Sequence, residues 1–196
     1  RLPHQSRRHL PLSSSFYPVN LGRGVNSPVF FYERNKMKTI LGIDVGMSGA
    51  LSSWDGHELI IHDMPTFEIK KGKTLRKRID ISALKRIVEL NHLDTHVFIE
   101  QVSAQPGNGA AAAFTYGFGC GVIEAVVQCC GLPFTYAPPQ TWKKAMQCPK
   151  DKDAARQRAS QLFPQFSHNW DRKRDDGRAE SSLIALYGFN QLNRLT

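Results

Sequence analysis

The stretch TILGIDVGMSGALSSWDGHELIIHDM, residues 39 to 64, sets three short apolar runs in succession with only tight turns between them. TILGIDV, GALSSWD and HELIIHDM are each the length of a strand. Gly46, Gly49 and the Asp55-Gly56 pair are the turn signals that separate them. Parallel neighbours need a crossover of a dozen or more residues, and no gap here is that long. The three runs are therefore expected to form an antiparallel meander. Its first strand ends on Asp44, a charge that a buried edge tolerates only with a partner, because an unpaired one costs several kcal/mol.

The rest of the chain fits around that meander. A polar, basic stretch, PTFEIKKGKTLRKR, leads to Asp80, expected to cap a helix whose apolar face is Ile81, Leu84, Ile87, Val88 and Leu93. THVFIEQ reads as a fourth strand, SAQPGNGA as a loop, and AAAFTYGFGCGVIEAVVQCC as a helix rich in small residues. LPFTYAP is a fifth strand and PQTWKKAM a helix opening with proline. KDKDAARQRASQLF is a charged amphipathic helix stopped by Pro164, and GRAESSLIALYGFNQL is the final helix. The expected fold class is α/β, with three antiparallel strands plus two parallel ones in a mixed five-stranded sheet flanked by helices. That is the ribonuclease H-like arrangement, as a single domain over residues 37–196.

Residues 1–36 are rich in Ser, Pro, Arg and Asn and lack a sustained period. They are read as a disordered extension, either upstream read-through before a start at Met37 or an organellar transit peptide, for which Arg- and Ser-rich, acid-poor composition is typical. The first reading implies a cytoplasmic protein, bacterial or phage-encoded, and the second a chloroplast or mitochondrial one. That segment holds six of the 26 basic residues and one of the 17 acidic ones, which leaves +4 of the net +9 for the domain. Such a basic excess suits a nucleic-acid partner. The apolar runs fall short of the roughly 20 residues that span a bilayer, so no membrane segment is expected. Cys120, Cys129, Cys130 and Cys148 lack paired zinc-ligand spacing and are read as free thiols.

Three elements carry acids at exposable ends. Asp44 ends the first strand and Glu100 the fourth, and the topology sets those two strands side by side. In DDGRAE, Asp176 and Glu180 stand four residues apart at the start of the last helix, about 40° apart around its axis. Like charges at that spacing destabilise a helix by about 0.2–0.5 kcal/mol unless a cation joins them. Taken singly, Asp176 also reads as an N-cap, Glu180 as a solvated first-turn acid, Asp44 as a turn residue and Glu100 as a surface strand end. Their joint placement favours a metal site.

GIDVGMSGAL, VFIEQVSAQPG, PPQTWKKAM, KDKDAARQRASQLFP and DDGRAESSLIALYG, in that order, resemble the RuvC-type Holliday junction resolvases, in particular the branch of phages, bacteria and chloroplasts. The resemblance implies a magnesium-dependent crossover junction endonuclease acting in DNA recombination and repair. It implies a homodimer that nicks a four-way junction symmetrically. Its catalytic and metal-binding acids would be Asp44, Glu100, Asp176 and Glu180, holding two Mg2+ ions with Mn2+ as a substitute, and its active-site lysine Lys152, with Lys150 as the alternative. The family often sets its last two acids three residues apart, whereas here Gly177 stands at the intervening place.

Candidate phosphate contacts are Lys70, Lys71, Lys73, Arg76, Lys77 and Arg78 of the basic run, then Lys143, Lys144, Arg172, Lys173 and Arg174. Phe114 and Tyr116 are candidates to stack at an unpaired junction centre, with a core position the favoured reading of Phe114, and the sequence departs from classical members, whose aromatic lies nearer the strand-four acid where Val102 and Ser103 stand here. Other classes remain open at this point. They are a ribonuclease H-like nuclease acting on hybrids or branched DNA, a noncatalytic nucleic-acid-binding module, and an actin- or sugar-kinase-like ATPase domain.

Overall fold

The computed structural model describes residues 39–72, 74–91, 94–101, 109–149 and 153–193. The meander is present as β1 (Ile40–Ile43), β2 (Ala50–Trp54) and β3 (Leu59–Asp63), joined by antiparallel ladders. The Asp55-Gly56 signal marks the second turn, with Gly56 at φ 102° and Asp55 Oδ1 accepting from the His57 and Glu58 amides.

The basic stretch that follows differs from expectation. Instead of an irregular segment it forms a two-stranded hairpin of its own, β4 (Thr66–Lys71) and β5 (Thr74–Ile79), with Gly72 at φ 63° in the turn. The consecutive Arg76, Lys77 and Arg78 do not register as a strand by hydrophobicity, although TFEIK alternates as one.

Helix α1 (Ile81–Glu89) is capped by the Asp80 carboxylate, which accepts from the Ala83 amide at 2.9 Å. Its Leu84 and Val88 are buried, Ile81 is exposed, and Leu93 lies outside the described residues. Strand β6 (His96–Glu100), helix α2 (Ala110–Cys129), strand β7 (Phe134–Ala137) and helices α3 (Pro139–Ala145), α4 (Ala154–Leu162) and α5 (Asp176–Leu192) complete the domain. Two 3-10 turns, Pro164–Trp170 and Lys173–Asp175, carry the chain from α4 to α5.

The five-stranded sheet has the order β3-β2-β1-β6-β7, with β6 parallel to both β1 and β7. Alternation along β1 divides the core in two. Ile40 packs with Phe98, Trp142 and α5 residues Leu183, Ile184 and Ala185 on one face, while Leu41 and Ile43 pack with Leu84, Val88, Ile123 and Val127 on the other.

Helix α5 lies against β1 more closely than side chains normally permit. A Cβ on Gly42 would collide with the Ala185 amide nitrogen and the Ser181 carbonyl oxygen. Beside it, the Ser52 hydroxyl is bonded to Ser181 Oγ at 2.6 Å and Ser182 Oγ at 3.1 Å, so the polar groups of this contact are satisfied internally.

Gly42→Ala is expected to lower stability by about 2–3 kcal/mol, the cost of forcing backbone elements apart. Urea denaturation checks this, and an unchanged midpoint would mean that α5 does not rest on β1.

Candidate metal centre

The parallel register fixes the first two acids. Ile43 pairs with Ile99, so Asp44 and Glu100 leave the same edge of the sheet side by side. Period-two alternation puts Asp44 on the face of Gly42, and Glu100 on the face of Phe98, which is the α5 face in both strands. Glu180, in the second turn of α5, closes the group. Asp44, Glu100 and Glu180 each offer an oxygen, and those atoms all lie within 4.8 Å of one another.

Their electrostatics show what the cluster costs. Burial, then the charges of Glu180 and Glu100, raise the Asp44 carboxyl well above the ordinary carboxylate range. The Glu100 carboxyl is raised as well, by burial first and then by Glu180, against the opposing pull of the Trp142 indole and the Lys143 ammonium.

Both of those partners come from α3. Because β7 runs parallel to β6, with Ala137 in register with Glu100, the helix that opens two residues later emerges at the acid edge. The fully buried Trp142 donates from Nε1 to Glu100 Oε1 at 3.2 Å. Lys143 donates from Nζ to Glu180 Oε1 at 2.9 Å and lies 5.1 Å from the centre of the Trp142 ring. Burial, the largest single influence, pulls the Lys143 ammonium down, but the bond to Glu180 and the charges of Glu180 and Glu100 outweigh it and the net shift is upward. Sequence reading placed Lys143 among phosphate contacts and missed its position inside the acid group. The signal available was TWK opening a helix directly after a parallel strand.

Asp176 stands apart from the triad. It is the first residue of α5, about 6 Å below Glu180 along the axis. Its Oδ1 lies 2.7 Å from Nε of Arg156 on α4, and Arg156 also bonds Asp153. The place three residues before Glu180 is closed to any side chain. A Cβ on Gly177 would collide with the Ser48 carbonyl oxygen and would stand 2.7 Å from Gly49 Cα and 3.0 Å from Asp44 Oδ2.

Among the described residues, three clustered carboxylates against one ammonium leave an excess of negative charge, and hard oxygen donors in such a set fit a divalent cation. Asp44, Glu100 and Glu180 are the residues that would hold it.

Among the remaining sequence candidates, Lys70, Arg76, Lys77 and Arg78 are exposed along the hairpin, with the Arg78 guanidinium 5.1 Å from the Phe118 ring centre. Lys71 lies in β4, Lys144 is exposed on α3, and Lys173 and Arg174 are exposed ahead of α5. Arg172 is held by a two-pronged bond to Asp175, at 2.8 and 2.9 Å, which also pulls the Asp175 carboxyl down. Lys73, Lys150, Lys152, Val102 and Ser103 lie outside the described residues. Phe114 and Tyr116 are exposed on α2. The Tyr116 phenol is raised by burial and by the charges of Glu100 and Asp44.

The sheet order, the helices on both faces and the strand-edge acids define a ribonuclease H-like fold. No family model and no curated protein matches the sequence. Among solved structures, the fold is that of Thermus thermophilus RuvC in complex with a Holliday junction substrate, at TM-score 0.50 and 10% identity over 80% of this chain and 97% of that one. A second Thermus thermophilus RuvC structure matches at TM-score 0.45 and 16% identity, over 78% of this chain and 95% of the other. The yeast mitochondrial Holliday junction resolvase matches at TM-score 0.45 and 16% identity, over 81% and 83%. Among the described residues no helix is long and apolar enough to cross a membrane.

Because the three acids repel one another, Asp44→Asn is expected to melt in EDTA at or above the temperature of the parent protein. The rise in melting temperature that Mg2+ or Mn2+ gives the parent should vanish in the variant. A variant that melts well below the parent in EDTA, or keeps the metal-dependent rise, would refute the site.

Proposed function

We propose that this chain is a structure-selective DNA endonuclease that resolves four-way junctions by metal-dependent hydrolysis of phosphodiester bonds. The observation that carries the reading is the triad of Asp44, Glu100 and Glu180 at one sheet edge of a RuvC-type fold. An acid cluster of this cost has no structural use, because a sheet edge of the same shape is cheaper to build from neutral residues.

The residues divide the work. Asp44, Glu100 and Glu180 would hold two Mg2+ ions, with Asp176 as a further candidate ligand on release from Arg156. Bound divalent ions at such a site lower the pKa of water and stabilise charge on the phosphoryl and leaving oxygens. The Trp142 indole fixes the Glu100 carboxylate in one orientation. Lys143 orients Glu180 and presents the one cation that α3 brings to the triad, suited to a non-bridging phosphate oxygen. Lys152 or Lys150 remains a candidate second lysine.

The exposed hairpin residues Lys70, Arg76, Lys77 and Arg78 supply phosphate contacts that give affinity without sequence information. A homodimer would set two such sites about a two-fold axis for symmetric nicks. The strip Gly117, Gly121 and Ala125 on α2 is exposed, small and open enough to receive a second helix.

Asp44→Asn and Glu100→Gln should abolish magnesium-dependent nicking of a synthetic four-way junction while leaving its binding in place. Lys143→Ala should slow nicking by about a hundredfold or more, as removal of one positioned charge-stabilising donor does. A panel of junction, plain duplex and RNA–DNA hybrid reads out the preference, and equal cutting of plain duplex would refute junction selectivity.

Replacing Lys70, Arg76, Lys77 and Arg78 with glutamine should weaken binding and reduce the slope of log affinity against log salt by about 0.9 for each phosphate that is no longer neutralised. An unchanged slope would return the hairpin to a solvated decoration.

A further inference from the structure

Three arginines meet aspartates around the first turn of α5, and the three pairs are not built alike. Arg178 grips Asp63 with two bonds of 2.6 Å, and Arg172 grips Asp175 with bonds of 2.8 and 2.9 Å. Both are the two-pronged pairing that makes guanidinium–carboxylate contacts strong. Arg156 is divided between partners. One of its terminal nitrogens bonds the Asp153 carboxylate, the other reaches the Asp171 carbonyl at 3.3 Å, and Nε is left for Asp176. That last contact is 2.7 Å long, yet both of its atoms are buried and neither completes a directed hydrogen bond. Charge attraction holds Asp176 at α4, and a buried oxygen in that state gains from any better partner.

Asp176 has a second place to go. It stands one turn before Glu180 and about 40° from it around the axis, and its side chain is 40% exposed. In the free protein the move is unfavourable, because it sets a fourth negative charge beside Asp44, Glu100 and Glu180 and strips Arg156 of one acid. A phosphate on Arg156 and a second cation beside Glu180 together reverse that balance. The guanidinium fork matches phosphate geometry, and Lys173 and Arg174, exposed just ahead of α5, attract a phosphate to this end of the helix. The Arg156 side chain is 17% exposed, and the turn of Asp176 toward Glu180 uncovers the Nε that the acid now faces.

We propose that Arg156 is a positioning residue, which holds Asp176 away from the triad in the free protein and releases it when a phosphate of bound DNA takes its place on the guanidinium. The inference rests on the nuclease reading and adds regulation to the metal site, since the fourth acid arrives only with the substrate. Binding free energies are reciprocal, so junction and cation then strengthen each other by one common factor.

The test reads that factor. Ca2+ is titrated calorimetrically into the parent, Arg156→Gln and Asp176→Asn, each alone and with a saturating synthetic four-way junction, while gel analysis shows that the junction stays intact. The readout is the ratio of Ca2+ affinities with and without DNA, which a merely structural or long-range charge effect leaves unchanged. A phosphate lying at the triad contributes to this ratio in every variant. The part that depends on Asp176 is lost when the acid is already free or absent, so the ratio should fall about five- to 150-fold in both variants, the usual span of coupling between sites. Arg156→Met, which keeps much of the apolar stem, repeats the measurement if Arg156→Gln folds poorly. Equal ratios in all three proteins overturn the proposal while the nuclease reading stands. A ratio that falls in Asp176→Asn but not in the Arg156 variants shows an acid that was never withheld, and the reverse shows Arg156 acting without Asp176; either result also overturns it. A parent that binds neither junction nor Ca2+ overturns the nuclease reading as well.

Discussion

The contact on which the rest depends is the direct seating of α5 on β1 and on the loop that follows it. Gly42 and Gly177 have no Cβ, and each position where one would stand is filled by backbone of the other element. The hydroxyls of Ser52, Ser181 and Ser182 satisfy one another inside this contact, which keeps a close approach from stranding polar groups. Close seating is also what brings Glu180 within reach of Asp44. With ordinary side chains between helix and sheet, at the usual spacing of packed layers, the helix acid would be too distant to share a small ion with the strand acids.

That geometry creates an electrostatic problem that the fold only partly relieves. Trp142 donates one bond to Glu100 and Lys143 one to Glu180, while at Asp44 burial and two neighbouring carboxylates outweigh the charge of Lys143. The pairing is uneven in an informative way. Asp44, directly after β1, has its carboxyl raised well above the ordinary range by burial and the charges of Glu180 and Glu100. Such strain concentrates where binding of a partner repays it.

Much of this was legible in the chain. Asp44 and Glu100 each end an apolar run, and parallel neighbours release their ends at one edge, so their convergence follows from strand pattern and topology alone. Asp80 as an N-cap was readable for the same local reason. The β4–β5 hairpin was not, because β5 runs Arg76, Lys77 and Arg78 in succession and is exposed up to Ile79, which mimics a charged loop. K-G-K flanked by alternation was the one signal present. The acid partners of Lys143 and Arg156 were illegible for a different reason. Those partners lie 37 and 20 residues away on another helix, and a long flexible cation chooses its partner only when three-dimensional packing decides which acid is nearest.

Gly177 shows how one position can answer two demands. Spacing alone suggests a fourth acid on α5, and a carboxylate three residues before Glu180 would point at the same edge. The close seating of the helix forbids it, because any side chain there would strike the Ser48 carbonyl and crowd the Asp44 carboxylate. The acid that the sequence does supply is displaced by one residue, to Asp176, and that step of about 100° around the helix turns it toward α4 and Arg156. The choice of glycine therefore holds the helix close enough for Glu180 to reach Asp44, and among the described residues three acids gather there. Among the described residues, the acid next nearest in the helix is Asp176, and it could add its charge to the site only on leaving Arg156.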